Sequence, residues 1–273
     1  MESVIEVSDL HFAYRDGTTA LRGVSFSLEP GSKVALLGSN GAGKSTLLLH
    51  LNGLFLPQQG IIRVLGREIN KKTELWVRQK VGIVFQDPDD QVFSSTVWED
   101  VAFGPLNMGF SSEEVTRRVN WALEVMGIQH LQEKPPHNLS YGQKKRVAIA
   151  GVLALDPEIV IMDEPMAFLD PRGQEDLKEI LEWLHEQGKT LIVATHDVDF
   201  AAAWAETVLV MKNGVLLREG TRELLTDEKI IEEAGLRLPL VVQIFRQLGI
   251  DTETRLPLSV EEAVRQIRML LER

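Results

Sequence analysis

One glycine-rich stretch constrains this chain more than any other feature: residues 38–46 read GSNGAGKST and match the pattern G-x-x-x-x-G-K-[ST]. The apolar run over residues 33–37 predicts a short buried strand before it. A buried helix is predicted after it by five leucines: Leu47, Leu48, Leu49, Leu51 and Leu54. A glycine-rich loop in this position points backbone N–H groups at phosphate oxygens, while Lys44 adds a positive charge and Ser45 a hydroxyl for Mg²⁺. We therefore predict a nucleoside-triphosphate site, with an ordinary glycine turn as the alternative.

Composition narrows the class of protein. A chain of 273 residues fits one large domain with an appendage better than two equal domains. Its net charge of −11 argues against a protein whose main role is to grip the phosphate backbone of a nucleic acid. It has no cysteine, which excludes disulfides and a cysteine-based zinc site. No apolar run approaches the ~20 residues needed to cross a bilayer, so we expect a cytosolic protein whose membrane role, if any, comes through a partner.

The periodicity of apolar residues predicts an α/β fold. Apolar and polar residues alternate over the first 28 residues and over residues 61–64, which predicts an antiparallel sheet around the glycine-rich loop. Residues 159–162 and 191–194 are continuous apolar runs, typical of strands buried on both faces of a parallel sheet. The pattern is helical from about 92 to 156, which we interpret as a helical insertion in the α/β core.

A helical extension is predicted from about residue 221 to residue 273, interrupted by Pro239 and Pro257. Its last helix carries a capping-box pattern at Ser259 and Glu262. Five apolar residues lie in its middle part: Leu238, Leu240, Val241, Ile244 and Phe245. They could pair two copies of the chain or pack on their own domain, and the sequence leaves both possibilities open.

An acidic pair, Asp163 and Glu164, follows the apolar strand at 159–162. The carboxyl end of this strand is expected to meet the glycine-rich loop. Phosphoryl transfer to water needs an acidic residue that holds Mg²⁺ and a second group that orients or deprotonates the water. Asp163 is the candidate for the first role and Glu164 for the second. The alternative is a polar loop that simply ends the strand.

The order of these motifs resembles the nucleotide-binding subunits of ATP-binding-cassette (ABC) transporters, over about residues 3–225. The most specific match is residues 139–143, LSYGQ, which is similar to the family signature LSGGQ and ends 20 residues before Asp163. The resemblance implies a P-loop NTPase (RecA-like) core, an ATPase domain over 1–220 with a helical signature subdomain at about 92–156, and hydrolysis of ATP. It also implies a dimer, in which each signature closes on the γ-phosphate held by the other subunit.

The resemblance assigns a role to each matching position. By this resemblance, the residues that bind ATP are Tyr14, Gly38, Asn40, Gly41, Gly43, Lys44, Ser45 and Thr46. The signature residues would contact the ATP of the other subunit: Leu139, Ser140, Tyr141, Gly142 and Gln143. The catalytic residues would be Glu164, His196 and Gln86, and the residues that hold Mg²⁺ would be Ser45, Gln86 and Asp163. Asp170 matches the loop that crosses the dimer interface.

The chain departs from the family pattern at two places. Tyr141 stands where the commoner signature has glycine, so its side chain must point away from the phosphate path. Residues 166–170, MAFLD, replace the small residues that are common before the leucine. Neither departure removes a group with an assigned chemical role.

Residues 85–91, FQDPDDQ, with residues 95–97 and 100–105, resemble the energy-coupling-factor branch, which powers uptake of vitamins and of cobalt or nickel ions. Tyr141 and residues 143–152 are more similar to its cobalt-type members. We therefore expect a cobalt or nickel importer subunit, with a vitamin importer as the alternative. Such a subunit would be a peripheral protein on the cytoplasmic face of the membrane, a homodimer bound to integral membrane subunits. The 86–91 loop contains three acidic residues, Asp87, Asp89 and Asp90. They would either bind a basic helix of the membrane partner or simply form a solvated acidic loop.

Three other classes of protein contain a similar loop. Relatives that act on DNA or ribosomes carry long coiled coils, zinc modules or two cassettes, none of which this sequence has, so no nucleic-acid partner is expected. A P-loop kinase would need an acceptor-binding lid and would not use the signature or His196. A nucleotide sensor that does not hydrolyse ATP would not need Asp163, Glu164 and His196 together.

Overall fold

Two sheets organise the computed structural model, which describes residues 3–249 and 256–272. The smaller sheet is antiparallel and has the strand order β2-β1-β4-β5. Its strands are β1 (Ile5–Ala13), β2 (Thr19–Leu28), β4 (Gln59–Val64) and β5 (Arg67–Glu68). Alternate residues of β1 and β2, such as Val24, Phe26 and Leu28, are buried, as the period of two predicts.

The larger sheet carries the site and has the order β10-β9-β3-β8-β7-β6. Its strands are β3 (Lys33–Leu37), β6 (Val81–Val84), β7 (Ile159–Asp163), β8 (Thr190–Thr195), β9 (Thr207–Lys212) and β10 (Val215–Thr221). All neighbours are parallel except β9 and β10, which form an antiparallel hairpin. Asn213 and Gly214 both have positive φ, 49° and 78°, which is the type I′ geometry that suits the twist of a hairpin.

The parallel strands are buried on both faces, which explains their continuous apolar sequences. Val34 and Leu36 of β3 belong to the core shared with the antiparallel sheet. Ala35 and Leu37 point the other way, into the core formed with the helices. This arrangement confirms the predicted parallel sheet.

Ten α-helices lie in the part of the chain that the structure describes. They are α1 (Lys44–Leu51), α2 (Glu74–Lys80), α3 (Val97–Asn107), α4 (Ser112–Val125), α5 (Tyr141–Leu153), α6 (Pro171–Glu186), α7 (Val198–Trp204), α8 (Glu228–Glu233), α9 (Leu240–Gln247) and α10 (Val260–Leu271). Helices α3, α4 and α5 pack on one another within the predicted helical region. One expectation was wrong: α1 ends at Leu51, and Leu54 is exposed, because the chain turns at Gly53 with a φ of +74°.

The extension after residue 221 packs on the domain with one face and exposes the other. Val242 and Phe245 of α9 are buried, whereas Leu240 and Ile244 are exposed. The backbone N–H of Leu240 donates to Asp199 Oδ1 at 2.7 Å, which ties α9 to α7. Residues 250–255 and 273 of the predicted extension lie outside the described residues.

Candidate functional site

The glycine-rich loop connects β3 to α1 and encloses its own lysine. Gly43 has a φ of +102°, and a Cβ there would lie 2.7 Å from the Ala20 carbonyl oxygen, so only glycine fits. Lys44 is buried, and its Nζ donates to the carbonyl oxygen of Gly38 at 2.7 Å. The loop therefore holds an ammonium group beside the first N–H groups of a helix, an arrangement that suits phosphate.

Asp163 and Glu164 lie at the carboxyl end of β7, beside this loop. Burial raises the pKa of Asp163, and a hydrogen bond with the Ser45 side chain opposes the shift. The Glu164 backbone has a φ of +43°, uncommon for a residue with a side chain, and its N–H donates to the Ala194 carbonyl at 2.8 Å. The sheet thus fixes the backbone of Glu164 from the neighbouring strand β8.

Three side chains surround the Glu164 carboxylate. His196 Nδ1 lies 2.9 Å from Oε1, and Thr195 Oγ1 donates to Oε2 at 3.1 Å. Lys44 Nζ lies 3.7 Å from Oε1. The parallel register of β7 and β8, which pairs Asp163 with Ala194, brings the predicted acidic pair and the predicted histidine together. A carboxylate in this setting can accept a proton from a bound water.

A cleft of about 400 Å³ joins most of the predicted ligand-binding residues. From the predicted set its lining includes Tyr14, Asn40, Gly41, Gly43, Lys44, Ser45, Thr46, Gln86, Asp163 and Glu164. Gly38 does not line the cleft; a Cβ there would meet the Met211 carbonyl at 2.5 Å, so this glycine permits close packing of the loop on β9. His196 reaches the cleft through its contact with Glu164.

Tyr14 lines the cleft. Its hydroxyl is 2.8 Å from Thr46 Oγ1, and its ring meets Phe12 and Phe55 edge-on, with centroids 5.2 and 6.1 Å away. The side chain is 38% exposed, so part of the ring is open to solvent. Stacking of this ring on a base stays a prediction.

The signature residues lie elsewhere on the chain. Ser140 caps α5: its Oγ accepts from the Gln143 N–H at 3.3 Å, and its own N–H donates to Gln143 Oε1 at 3.0 Å. None of the described residues 139–143 lines the cleft, and neither does Asp170, which caps α6 through the Gly173 N–H. One copy of the chain therefore leaves the signature apart from the phosphate loop.

The two departures from the family pattern contact each other. The rings of Tyr141 and Phe168 meet at 5.5 Å between centroids, and Phe168 is 78% exposed with a φ of +62°. The hydroxyl of Tyr141 donates to the Gln86 carbonyl at 2.9 Å, so the side chain points to the loop after β6 of its own chain.

Two buried residues beside the site were not predicted. Thr195 bonds to Glu164, and Lys145 is only 2% exposed, with its Nζ 2.7 Å from the Gln86 carbonyl oxygen. Burial lowers the pKa of Lys145 to about 8, while Asp163 and Asp87 oppose the shift. The spacing of Tyr141 and Lys145, one helical turn apart, was the signal available in the sequence.

The acidic loop after Gln86 is partly paired within the chain. Asp89 Oδ1 lies 2.5 Å from Lys144 Nζ, and Asp87 accepts from the Asp89 N–H to cap a short turn. Asp90 is exposed. Any basic partner would therefore compete with Lys144 for Asp89, a competition that the sequence did not indicate.

The fold and the loop between β3 and α1 define a P-loop nucleoside triphosphatase. The family model for the ABC transporter matches residues 21–167. An energy-coupling factor transporter ATP-binding protein, EcfA, of Carboxydothermus hydrogenoformans is 48% identical over 99% of this chain and 100% of the relative. The chain belongs to the ABC transporter ATPases, in the energy-coupling factor branch, and is an ATPase.

Solved structures agree with this family. CbiO1 from Clostridium perfringens, described as part of the ABC transporter complex cbiONQ, has a TM-score of 0.76 and 42% identity over 90% of this chain and 100% of that chain. The ATP-binding cassette MJ0796, a dimer in a post-hydrolysis state bound to ADP and Pi, has a TM-score of 0.73 and 29% identity over 80% of this chain and 98% of that one. Within residues 3–249 and 256–272, no helix has the length and apolar character required to span a membrane.

Proposed function

We propose that this chain powers an importer of cobalt or nickel ions, as one of two identical ATPase subunits bound to integral membrane proteins on the cytoplasmic face. The similarity of Tyr141 and residues 143–152 to cobalt-type members supports the cargo. The structural neighbour that belongs to a transporter complex supports the membrane partners. The single observation that carries the catalytic part is the position of Glu164, held among Lys44, Thr195 and His196.

ATP would bind along the phosphate loop. The N–H groups at the start of α1 would donate to phosphate oxygens. Lys44 Nζ, which donates to the Gly38 carbonyl in this structure, would donate to phosphate oxygens instead. The exposed part of the Tyr14 ring would stack on adenine. The complete binding set comprises Tyr14, Gly38, Asn40, Gly41, Gly43, Lys44, Ser45 and Thr46.

Three residues would hold Mg²⁺: Ser45, Gln86 and Asp163. Hydroxyl, amide and carboxylate oxygens are the donors that this ion prefers, and the hydrogen bond between Ser45 and Asp163 shows that two of them meet. When bound, Mg²⁺ neutralises negative charge on the phosphates.

Glu164 would orient the attacking water and accept its proton. His196 and Thr195 hold its carboxylate through hydrogen bonds, so the group is positioned before the nucleotide binds. Gln86, which also lines the cleft, would orient the same water. The positive charge of Lys44 would stabilise charge that develops on the phosphate.

A second copy would complete the site. Residues 139–143, with Ser140 and the bare backbone of Gly142, would contact the γ-phosphate bound by the other chain, and Asp170 would lie at the interface. The two chains would close on two bound ATP molecules, and this closure would drive the membrane partner from one conformational state to the other.

The variant Glu164→Gln tests the catalytic assignment. We expect turnover to fall by about 10²- to 10⁴-fold, the range typical of a general base, while ATP binding persists and ATP traps a dimer. Turnover is measured by phosphate release, binding by a fluorescent ATP analogue and dimer formation by light scattering. Glu186→Gln, an exposed change on α6, is the matched control. Normal turnover of Glu164→Gln would contradict the role of Glu164.

The cargo is tested on the intact transporter. The chain is purified from membranes with the integral proteins that accompany it, which are then identified and reconstituted in vesicles. ATP-dependent uptake of radioactive cobalt or nickel is expected. Uptake of a vitamin instead would show that the transporter belongs to the vitamin-importing group.

A further inference from the structure

The carbonyl oxygen of Gln86 accepts hydrogen bonds from two side chains of one helix. Tyr141 Oη donates to it at 2.9 Å and Lys145 Nζ at 2.7 Å. Lys145 also donates to the Phe85 carbonyl at 3.1 Å. Tyr141 and Lys145 are four residues apart on α5, so both face the end of β6. The glutamine is thus attached to the helix that begins at the signature.

The burial of Lys145 makes this attachment strong. Its side chain is 2% exposed and forms no ion pair within 4 Å among the described residues. A buried ammonium group is costly unless hydrogen bonds replace its water, and here the backbone carbonyls of residues 85 and 86 do so. The buried ammonium group of Lys145 therefore holds the backbone of residues 85 and 86 in place.

The segment held in this way is ordered by its own hydrogen bonds. The N–H of Phe85 donates to Gln91 Oε1 at 3.0 Å, and Gln91 Nε2 donates to the Ile83 carbonyl at 3.1 Å. Residues 85–91 therefore form a closed loop whose base is fixed to α5. The neighbouring Lys144 adds a surface contact to the same loop, through the exposed side chain of Asp89.

We propose that Tyr141 and Lys145 are positioning residues for Gln86, which make the signature helix and the glutamine of one subunit move as one body. This inference rests on the proposed roles of Gln86 and of the signature. Gln86 serves the ATP bound by its own chain, whereas Ser140 serves the ATP bound by the other. The contact consequently couples the two composite sites. When the signature of one chain approaches the ATP bound by its partner, the same movement positions Gln86 at the ATP bound by its own chain.

The main test is Tyr141→Phe, which removes one hydroxyl and retains the ring that meets Phe168. Measured on the transporter complex, kcat should fall about 3- to 10-fold, the effect of losing a hydrogen bond of ~1 kcal/mol, and KM for ATP should stay within about 2-fold. Lys145→Met should reduce kcat at least as much, whereas Lys178→Met, a control on α6 whose side chain pairs with Glu175, should change it less than about 2-fold.

A double-mutant comparison separates positioning from a general structural effect. In the Gln86→Ala background, Tyr141→Phe should no longer change kcat, because the side chain that it positions is absent. An equal fold-change in both backgrounds would overturn the inference. Full turnover of Gln86→Ala alone would instead contradict the proposed function of Gln86.

Hydrogen exchange tests the contact without reference to activity. Amide exchange of residues 85–91 should be faster in Tyr141→Phe and Lys145→Met than in the unaltered chain or in Lys178→Met. Unaltered exchange in both variants would overturn the proposed contact, whatever the kinetic result.

Discussion

Thr195 shows how one hydroxyl can serve two parts of a site. Its Oγ1 donates to the Glu164 carboxylate and accepts from the Asp197 N–H at 3.0 Å. Asp197 in turn caps α7 by accepting from the Phe200 N–H. The hydroxyl is buried, so neither partner has water as a substitute. We infer that Thr195 fixes the carboxylate relative to the loop that carries His196.

The variant Thr195→Val keeps the shape of the side chain and removes both hydrogen bonds. We expect kcat to fall about 10- to 100-fold, because a hydrogen bond to a charged group contributes about 1.5–3 kcal/mol. The KM for ATP should be nearly unchanged, and the free energy of unfolding should fall by about 1–3 kcal/mol, since Asp197 loses its acceptor. Steady-state kinetics and urea denaturation measure the two effects.

The control for this prediction is Thr116→Val on α4. Thr116 also bonds through its hydroxyl, to the Ser112 carbonyl, but it is exposed and remote from the cleft. It should change neither kcat nor stability by more than a small amount. A folded Thr195→Val protein with normal kcat would contradict the role given to Thr195.

Helix α9 has two apolar faces, of which one is buried and the other is exposed to solvent. Val242 and Phe245 point into the core, and Phe245 is 1% exposed. Leu240, Ile244 and Leu248 are between 53% and 63% exposed. The extension is therefore part of the folded unit through one face, and its other face is available to a second copy, the possibility that the sequence left open.

Substitutions on the two faces should separate stability from association. Phe245→Ala should lower the free energy of unfolding by about 3–5 kcal/mol, because it leaves a cavity in the core. Ile244→Ala should lower it by less than about 0.5 kcal/mol, since the side chain is already in water. Urea denaturation measures both, and similar losses in the two variants would contradict the observed packing.

The whole molecule holds the two halves of the proposed composite site at separate places. Lys44 lies in the cleft with Asp163 and Glu164, whereas Ser140 starts a helix that does not reach it. A single copy of the chain cannot bring both to one nucleotide without a large rearrangement. Two copies in head-to-tail symmetry can, because each supplies the half that the other lacks.

Mixing two inactive variants tests this arrangement. Lys44→Ala should lose ATP binding, and Ser140→Arg should block the signature, so each homodimer should be inactive. In an equal mixture, half of the dimers are mixed and each has one intact site, so up to about a quarter of normal turnover should return, and coupling between the two sites would lower this fraction. Phosphate release measures turnover, and differently tagged chains report mixed dimers. Mixed dimers without activity would contradict the composite site.

Much of the fold was predictable because its signals are local. The alternation in β2, the continuous apolar run of β7 and the capping pattern at Ser259 depend on neighbours within a few residues, and each matched the structure. The end of α1 was misplaced because leucines continue past Leu51, and nothing in the apolar pattern itself marks where the chain turns at Gly53.

The phosphate loop, the acidic pair at Asp163 and the strands that carry them follow from the sequence, because each is a short motif with a required backbone conformation. Only the folded chain shows that Thr195 donates to Glu164, that Asp89 pairs with Lys144 and that Lys145 holds the Gln86 carbonyl. These contacts join residues 31 to 59 positions apart along the chain. Their geometry depends on the register of β7 and β8 and on how α5 packs against the end of β6, which no local pattern records.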